Sequence, residues 1–219
     1  MRWAAGLTAV AAFAIAQPAS AEVVTERQLR FQAQVKTGLA RNLDASFSQH
    51  LRMGLNGEHD SRVMPELNLA YEPFKHLSMS TGGRYSFDRN DENGRSSTVR
   101  ILADVEAETP QLGPFQGAYR FRIQRDASTD KDDPSFRLRH KASLQLNTDS
   151  ALTPDAFYEH FDDPKADNEQ RAQQRRLGAG FGIKLGANHR FKLKAFQDTE
   201  LDGDGDKERV LAAGYRYGF

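Results

Sequence analysis

Cysteine is absent from the 219 residues, which removes a disulfide framework and a lipid-anchored cysteine together. Long hydrophobic runs are almost absent as well. Mean hydropathy is −0.68, and the one extended apolar stretch is Trp3 to Ala16, too short to cross a bilayer as a helix. A helical membrane protein is therefore excluded. There is no net charge either, since 30 Lys and Arg balance 30 Asp and Glu, so no nucleic-acid partner is expected.

What the sequence does contain begins with an export signal. Arg2 supplies a charged start, Trp3 to Ala16 the apolar run, Pro18 the break and Ala19-Ser20-Ala21 the small-residue cleavage pattern. Residues 1–21 read as a removed signal peptide, with mature protein from Glu22 forming one domain, 22–219. A secreted soluble protein or an outer-membrane barrel remains, because barrel strands alternate and escape hydropathy averages.

Alternation is the dominant pattern. Leu29, Phe31, Ala33, Val35, Thr37 and Leu39 fall on one face, with Arg30, Gln32, Gln34 and Lys36 on the other. The same period recurs near residues 45–55, 63–72, 77–87, 99–107, 115–124, 136–146, 177–185, 191–195 and 211–219. A stretch around Ala156 to Phe161 shows it least. Most strands run about ten residues, which suits a tilted transmembrane strand. Short turns at 40–43, 73–76 and 186–189 alternate with longer polar loops at 56–62, 88–95, 126–135, 162–173 and 198–209. That asymmetry points to an all-β, antiparallel, up-and-down transmembrane barrel of 10–12 strands rather than a β-sandwich. Eleven strands can be counted, whereas bacterial barrels have even numbers. Residues Glu22 to Arg27 would make twelve, slightly preferred; losing the stretch near Tyr158 would make ten.

The chain closes on Gly214-Tyr215-Arg216-Tyr217-Gly218-Phe219. Aromatics at alternate positions ending in phenylalanine resemble the C-terminal signal of bacterial outer-membrane β-barrels. The resemblance implies that the barrel-assembly machinery reads Gly214, Tyr217 and Phe219, and that outer-membrane lipids and lipopolysaccharide surround the wall. The mature chain also resembles bacterial proteins labelled domain of unknown function 2490 (DUF2490). The likeness rests on Gln49-His50-Leu51-Arg52, Gly82-Gly83-Arg84-Tyr85 and Ala118-Tyr119-Arg120-Phe121-Arg122. It implies an outer-membrane barrel and supplies no activity.

Neutral composition hides segregated charge. Counting Lys and Arg against Asp and Glu, the five long loops carry −1, −1, −3, −2 and −4, while the rest of the mature chain carries +10. Alternation points Arg30, Arg52, Arg84, Arg100 and Arg120 inward. It does the same for Arg122, Arg137, Arg139, Arg176 and Arg216. Guanidinium ladders of this kind suit a porin-like channel for small anionic solutes, since each fork matches carboxylate or phosphate. Equally, the arginines can pair with lumenal acids and fill a narrow, non-conducting barrel, with Gly178, Gly180 and Gly182 making room for long neighbours. Both readings stay open.

Other chemistry is sparse. His50 sits near Ser48 without a visible third partner, and His160 next to Glu159 reads as a rim residue pairing with arginine. Motifs of the barrel lipases and proteases are not apparent, so neither an enzyme nor a catalytic residue is expected, and no cofactor. Asp202, Asp204 and Asp206 alternate with glycine as calcium loops do, but position 213, where a closing Glu belongs, is Ala. Tyr71, Phe87, Tyr119, Phe136, Phe181 and Phe191 fall near strand ends, as interfacial girdles do. Phe196 points inward, and the pattern offers no reason for it.

Overall fold

The computed structural model describes residues 26–55, 61–90, 94–129, 134–148, 150–166, 172–201 and 206–219. The expected signal peptide lies outside these residues, as do residues 22–25 of the candidate twelfth strand. Eleven strands follow one another: β1 (Glu26–Ala40), β2 (Leu43–Gly54), β3 (Ser61–Phe74), β4 (Leu77–Asn90), β5 (Gly94–Glu108) and β6 (Phe115–Ser128), then β7 (Ser135–Leu146), β8 (Leu152–Asp162), β9 (Ala172–Leu185), β10 (His189–Glu200) and β11 (Lys207–Gly218). Each pairs with its sequence neighbour, and β1 pairs with β11, so the sheet closes. Strands of 11 to 15 residues rise about 3.3 Å per residue, enough to cross an apolar band of roughly 25 Å when tilted by about 40°.

The count falls within the expected range, but the slight preference for twelve gives way to eleven. An odd number makes the first and last strands run the same way. The seam is accordingly parallel, in register from Glu26 opposite Glu208 to Lys36 opposite Gly218. All other pairings are antiparallel. The Phe219 amide donates to the Lys36 carbonyl at 3.2 Å, so the chain end is tied across this seam.

The stretch near Tyr158 is a full strand, β8, and its weak alternation has a physical cause. Phe157 and Phe161 are buried inside the barrel, while His160 and Asp162 sit on the outward face. Apolar and polar positions are thus exchanged relative to the neighbouring strands. Elsewhere the outward residues form an apolar wall. Leu67 on β3 is 65 % exposed, Ile101 on β5 61 % and Leu211 on β11 61 %. Burying that wall against lipid is what makes such a barrel stable.

Tight connections join the strands at one end. Asn42 takes φ +63° in the Arg41-Asn42 turn, a conformation asparagine tolerates, and Gly186 takes φ +77° between β9 and β10. The longer loops collect at the other end, which is also where β1 begins.

Candidate functional site

The interior is organised by rows of residues that meet across adjacent strands. One row passes from Glu106 through Arg120, Lys141, Glu159, Arg176 and Asp198 to Glu208, one residue per strand from β5 to β11. Glu159 is its centre and is 1 % exposed. Its carboxylate accepts from Arg139 at 2.5 Å and Arg176 at 3.1 Å, with Lys141 at 3.2 Å and Arg120 at 4.0 Å. Arg176 also binds Asp198 with two hydrogen bonds, Nε to Oδ1 at 2.5 Å and Nη2 to Oδ2 at 2.7 Å.

Neighbouring rows repeat this pairing. Arg122 clamps Asp104 at 2.6 and 2.7 Å. Arg100 clamps Asp126 at 2.7 and 2.6 Å. Arg84 donates to Glu66 through Nε at 2.6 Å, and Arg30 reaches Glu208 at 3.1 Å and Asp198 at 3.5 Å. Such buried pairs persist because either partner alone would be an uncompensated charge. Among the described residues, Arg52 and Arg216 have no carboxylate partner, whereas Arg137 interacts with Asp126 and Asp163; Arg216 instead stands opposite Arg190.

These pairings change the reading of the loop charges. Asp126, Asp198 and Glu208 were counted with the acidic loops, but they lie on β6, β10 and β11 and neutralise arginines of the wall. Charge is less segregated than the sequence count implies.

Aromatics fill one side. Phe157 and Phe196 meet edge to face at 6.0 Å. The Arg176 guanidinium lies over both Phe161 and Phe196, and the Lys141 and Lys194 ammonium groups over Phe157. This accounts for inward-pointing Phe196. Gly178 allows it, since a Cβ there would come within 2.7 Å of Phe157 Cζ. Gly180 makes room for Lys194 in the same way, whereas Gly182 has ordinary space around it.

Cavities remain inside among the described residues. One of about 330 Å³ at the long-loop end is lined by Arg52, Arg84, Arg100 and Arg137. The middle one, about 470 Å³, is lined by Arg30, Arg52, Arg84, Arg120, Arg122, Arg139 and Arg176. The third, about 260 Å³ at the short-turn end, is lined by Lys192, Arg190 and Arg216. All ten arginines singled out from the sequence therefore line the interior. Glu159 and Asp198, the acids that hold Arg30, Arg120, Arg139 and Arg176, were missed because their strands' faces or bounds were obscured.

Two features lie on the outer face. Near the chain end, Tyr215 packs on Phe191 and His189, and Tyr217 on Phe219. Gly214 faces Gln32 and Lys192 with ordinary space for a Cβ, so sterics do not require glycine there. On β6 to β8, the Tyr119 hydroxyl lies 2.6 Å from His140 Nδ1, and Asp162 stands between His140 Nε2 at 3.6 Å and His160 Nε2 at 3.0 Å. The expected arginine partner of His160 is thus replaced by Asp162. His50 faces inward toward Glu66 at 3.8 Å. Asp202 and Asp204 lie outside the described residues, and among the described residues no group of His, Asp and Glu is placed to hold a metal.

Residues 28–209 match the family described as protein of unknown function (DUF2490). The chain belongs to this family. No curated protein matches it. Among solved structures, LpxR from Salmonella typhimurium is similar at a TM-score of 0.50 and 10% identity, over 80% of this chain and 83% of that one. At this identity the likeness is one of fold. It corrects one expectation, that no enzyme is to be sought here: LpxR is an outer-membrane lipid A deacylase, so a barrel of this architecture does carry an activity.

Proposed function

We propose that the family member described here is exported through its 1–21 signal peptide to the bacterial outer membrane, where its lumen offers small anionic solutes a narrow, porin-like passage. The observation that carries this reading is the set of arginines left without a carboxylate. Arg52 stands at the long-loop mouth, and Arg190 and Arg216 stand at the short-turn mouth. Paired arginines are neutralised locally, whereas these three keep their fields for an entering anion. The cavities also share walls. Arg52 and Arg84 line both the first and second; Gln32, Gln34 and Lys192 line both the second and third. The cavities thus adjoin one another beside the aromatic filling, along the β1 to β4 side, which supports the reading. Single-channel recording on refolded protein in planar bilayers tests it: discrete steps with anion preference are expected. A flat baseline would instead favour the filled, non-conducting barrel.

A second reading rests on the outward Tyr119, His140 and Asp162. Ionisable groups on a lipid-facing wall are expensive and mark function by default. With Nε2–H toward Asp162, His140 Nδ1 accepts a proton. A water in the place of the Tyr119 hydroxyl would give its proton to Nδ1 as its oxygen attacks a lipid ester. The proton then passes to the departing alkoxide, leaving a fatty acid and an alcohol. Mass spectrometry of lipid micelles incubated with the barrel tests this: fatty acid released by wild type and not by His140→Asn supports it, and no release removes it.

A further inference from the structure

Among the described residues, seven buried side-chain nitrogen and oxygen atoms find no hydrogen-bond partner, and four of them line a single space. That space is the middle cavity of the lumen, about 470 Å³. The four are His50 Nε2 on β2, Asn68 Oδ1 on β3, Arg120 Nε on β6 and Arg139 Nε on β7. A buried donor without an acceptor is costly to keep, so their convergence calls for an occupant. Three of the four atoms can donate, and two of those belong to guanidinium groups.

Charge says what kind of occupant. Glu159 has Arg120, Arg139, Lys141 and Arg176 within 4.0 Å. Asp198 also holds Arg176, and Glu106 stands 3.9 Å from Arg120. Four cations thus share three carboxylates. Arg30, Arg84 and Arg122 around the same cavity are each matched by an acid. Arg52, across the cavity on β2, has only arginines acting on it. The surplus is two positive charges.

Arg120 is the least satisfied member. Its carboxylate neighbours lie at 3.9 and 4.0 Å, beyond hydrogen-bond reach. Arg139 uses Nη2 on Glu159 at 2.5 Å and keeps Nε unbonded. The two are diagonal neighbours, since Arg120 pairs with Lys141 and Arg122 with Arg139. Diagonal neighbours on one face are about 7 Å apart, which lets two long side chains grip one small anion.

We propose that the middle cavity is a binding station for a doubly charged phosphate group, carried as inorganic phosphate or as the monoester of a small polar molecule. Such a dianion matches the surplus, and its oxygens accept from Arg120, Arg139 and His50. Asn68 Oδ1, the acceptor among the four, takes a hydroxyl of the phosphate or of its carrier. The station rests on the anion passage described above for its solute's access, and it names the class of that solute.

Isothermal titration calorimetry of the refolded barrel in non-ionic detergent at pH 8 tests it with inorganic phosphate, glycerol 3-phosphate and acetate. At least one phosphate is expected to bind tenfold or more tightly than acetate. Which of the two binds better identifies the source, and either order supports the proposal. Arg120→Gln should weaken phosphate binding at least tenfold, while Arg125→Gln, exposed on the outer wall beside Phe136, should leave it unchanged. Acetate binding as tightly as both phosphates, or no binding of any of the three, would overturn the proposal on wild-type barrel alone. So would wild-type phosphate affinity in folded Arg120→Gln. Planar-bilayer recording separates the station from the passage. A conducting barrel that binds no phosphate refutes the station alone, whereas phosphate binding with a flat baseline refutes the passage and upholds the station.

Discussion

Arg176 and Asp198 face each other across β9 and β10 with two parallel hydrogen bonds of 2.5 and 2.7 Å, and Asp198 is 2 % exposed. From this pair the network extends to Glu159 on one side and Arg30 on the other. The half of the lumen bounded by β7 to β10 is thereby filled with hydrogen-bonded side chains.

Glu159→Ala tests that network. The substitution leaves Arg139, Arg176 and Lys141 without their shared carboxylate, and losing one member of a buried ion pair costs about 3–5 kcal/mol. The sole tryptophan of the chain, Trp3, falls in residues 1–21, the proposed signal peptide. Unfolding is therefore best followed by circular dichroism or by the gel shift of heated against unheated protein. An unchanged urea midpoint would mean that Glu159 does not hold the network.

Gly178→Ala tests the aromatic filling. Its Cβ would press on Phe157 and on the Ala195 carbonyl, and overpacking of this kind costs roughly 1–3 kcal/mol. Gly182→Ala, with nothing nearer than 3.8 Å, is expected to be close to neutral. The same unfolding assay compares the two.

Deletion of Phe219 tests the chain end. Removing it breaks the bond to Lys36 and the ring contact with Tyr217. If the assembly machinery reads Gly214, Tyr217 and Phe219, the truncated protein accumulates unassembled in cells. Wild-type levels of folded barrel in outer-membrane fractions would contradict that role.

The wall was legible in the sequence because a strand with one face in lipid and one in the lumen alternates with period two. Facing direction followed for all ten arginines. Partners did not, because a partner is set by register between strands. Asp126, for instance, looked like loop until its pairing with Arg100 drew it into β6. β8 stayed obscure because Phe157 and Phe161 point in while His160 and Asp162 point out. His140 left one trace, a polar residue on the outward face between Leu138 and Ala142. Its partner Asp162 stood in what read as a loop, so the cluster could not be assembled from the sequence.

The central claim is that unpaired arginines at the two mouths select anions. Reversal potential under a potassium chloride gradient measures it directly, with wild type compared against Arg52→Gln plus Arg216→Gln. The account predicts an anion-selective potential for wild type that shifts toward zero in the double variant. A cation-selective wild type, or a potential that the two substitutions leave unmoved, would contradict it.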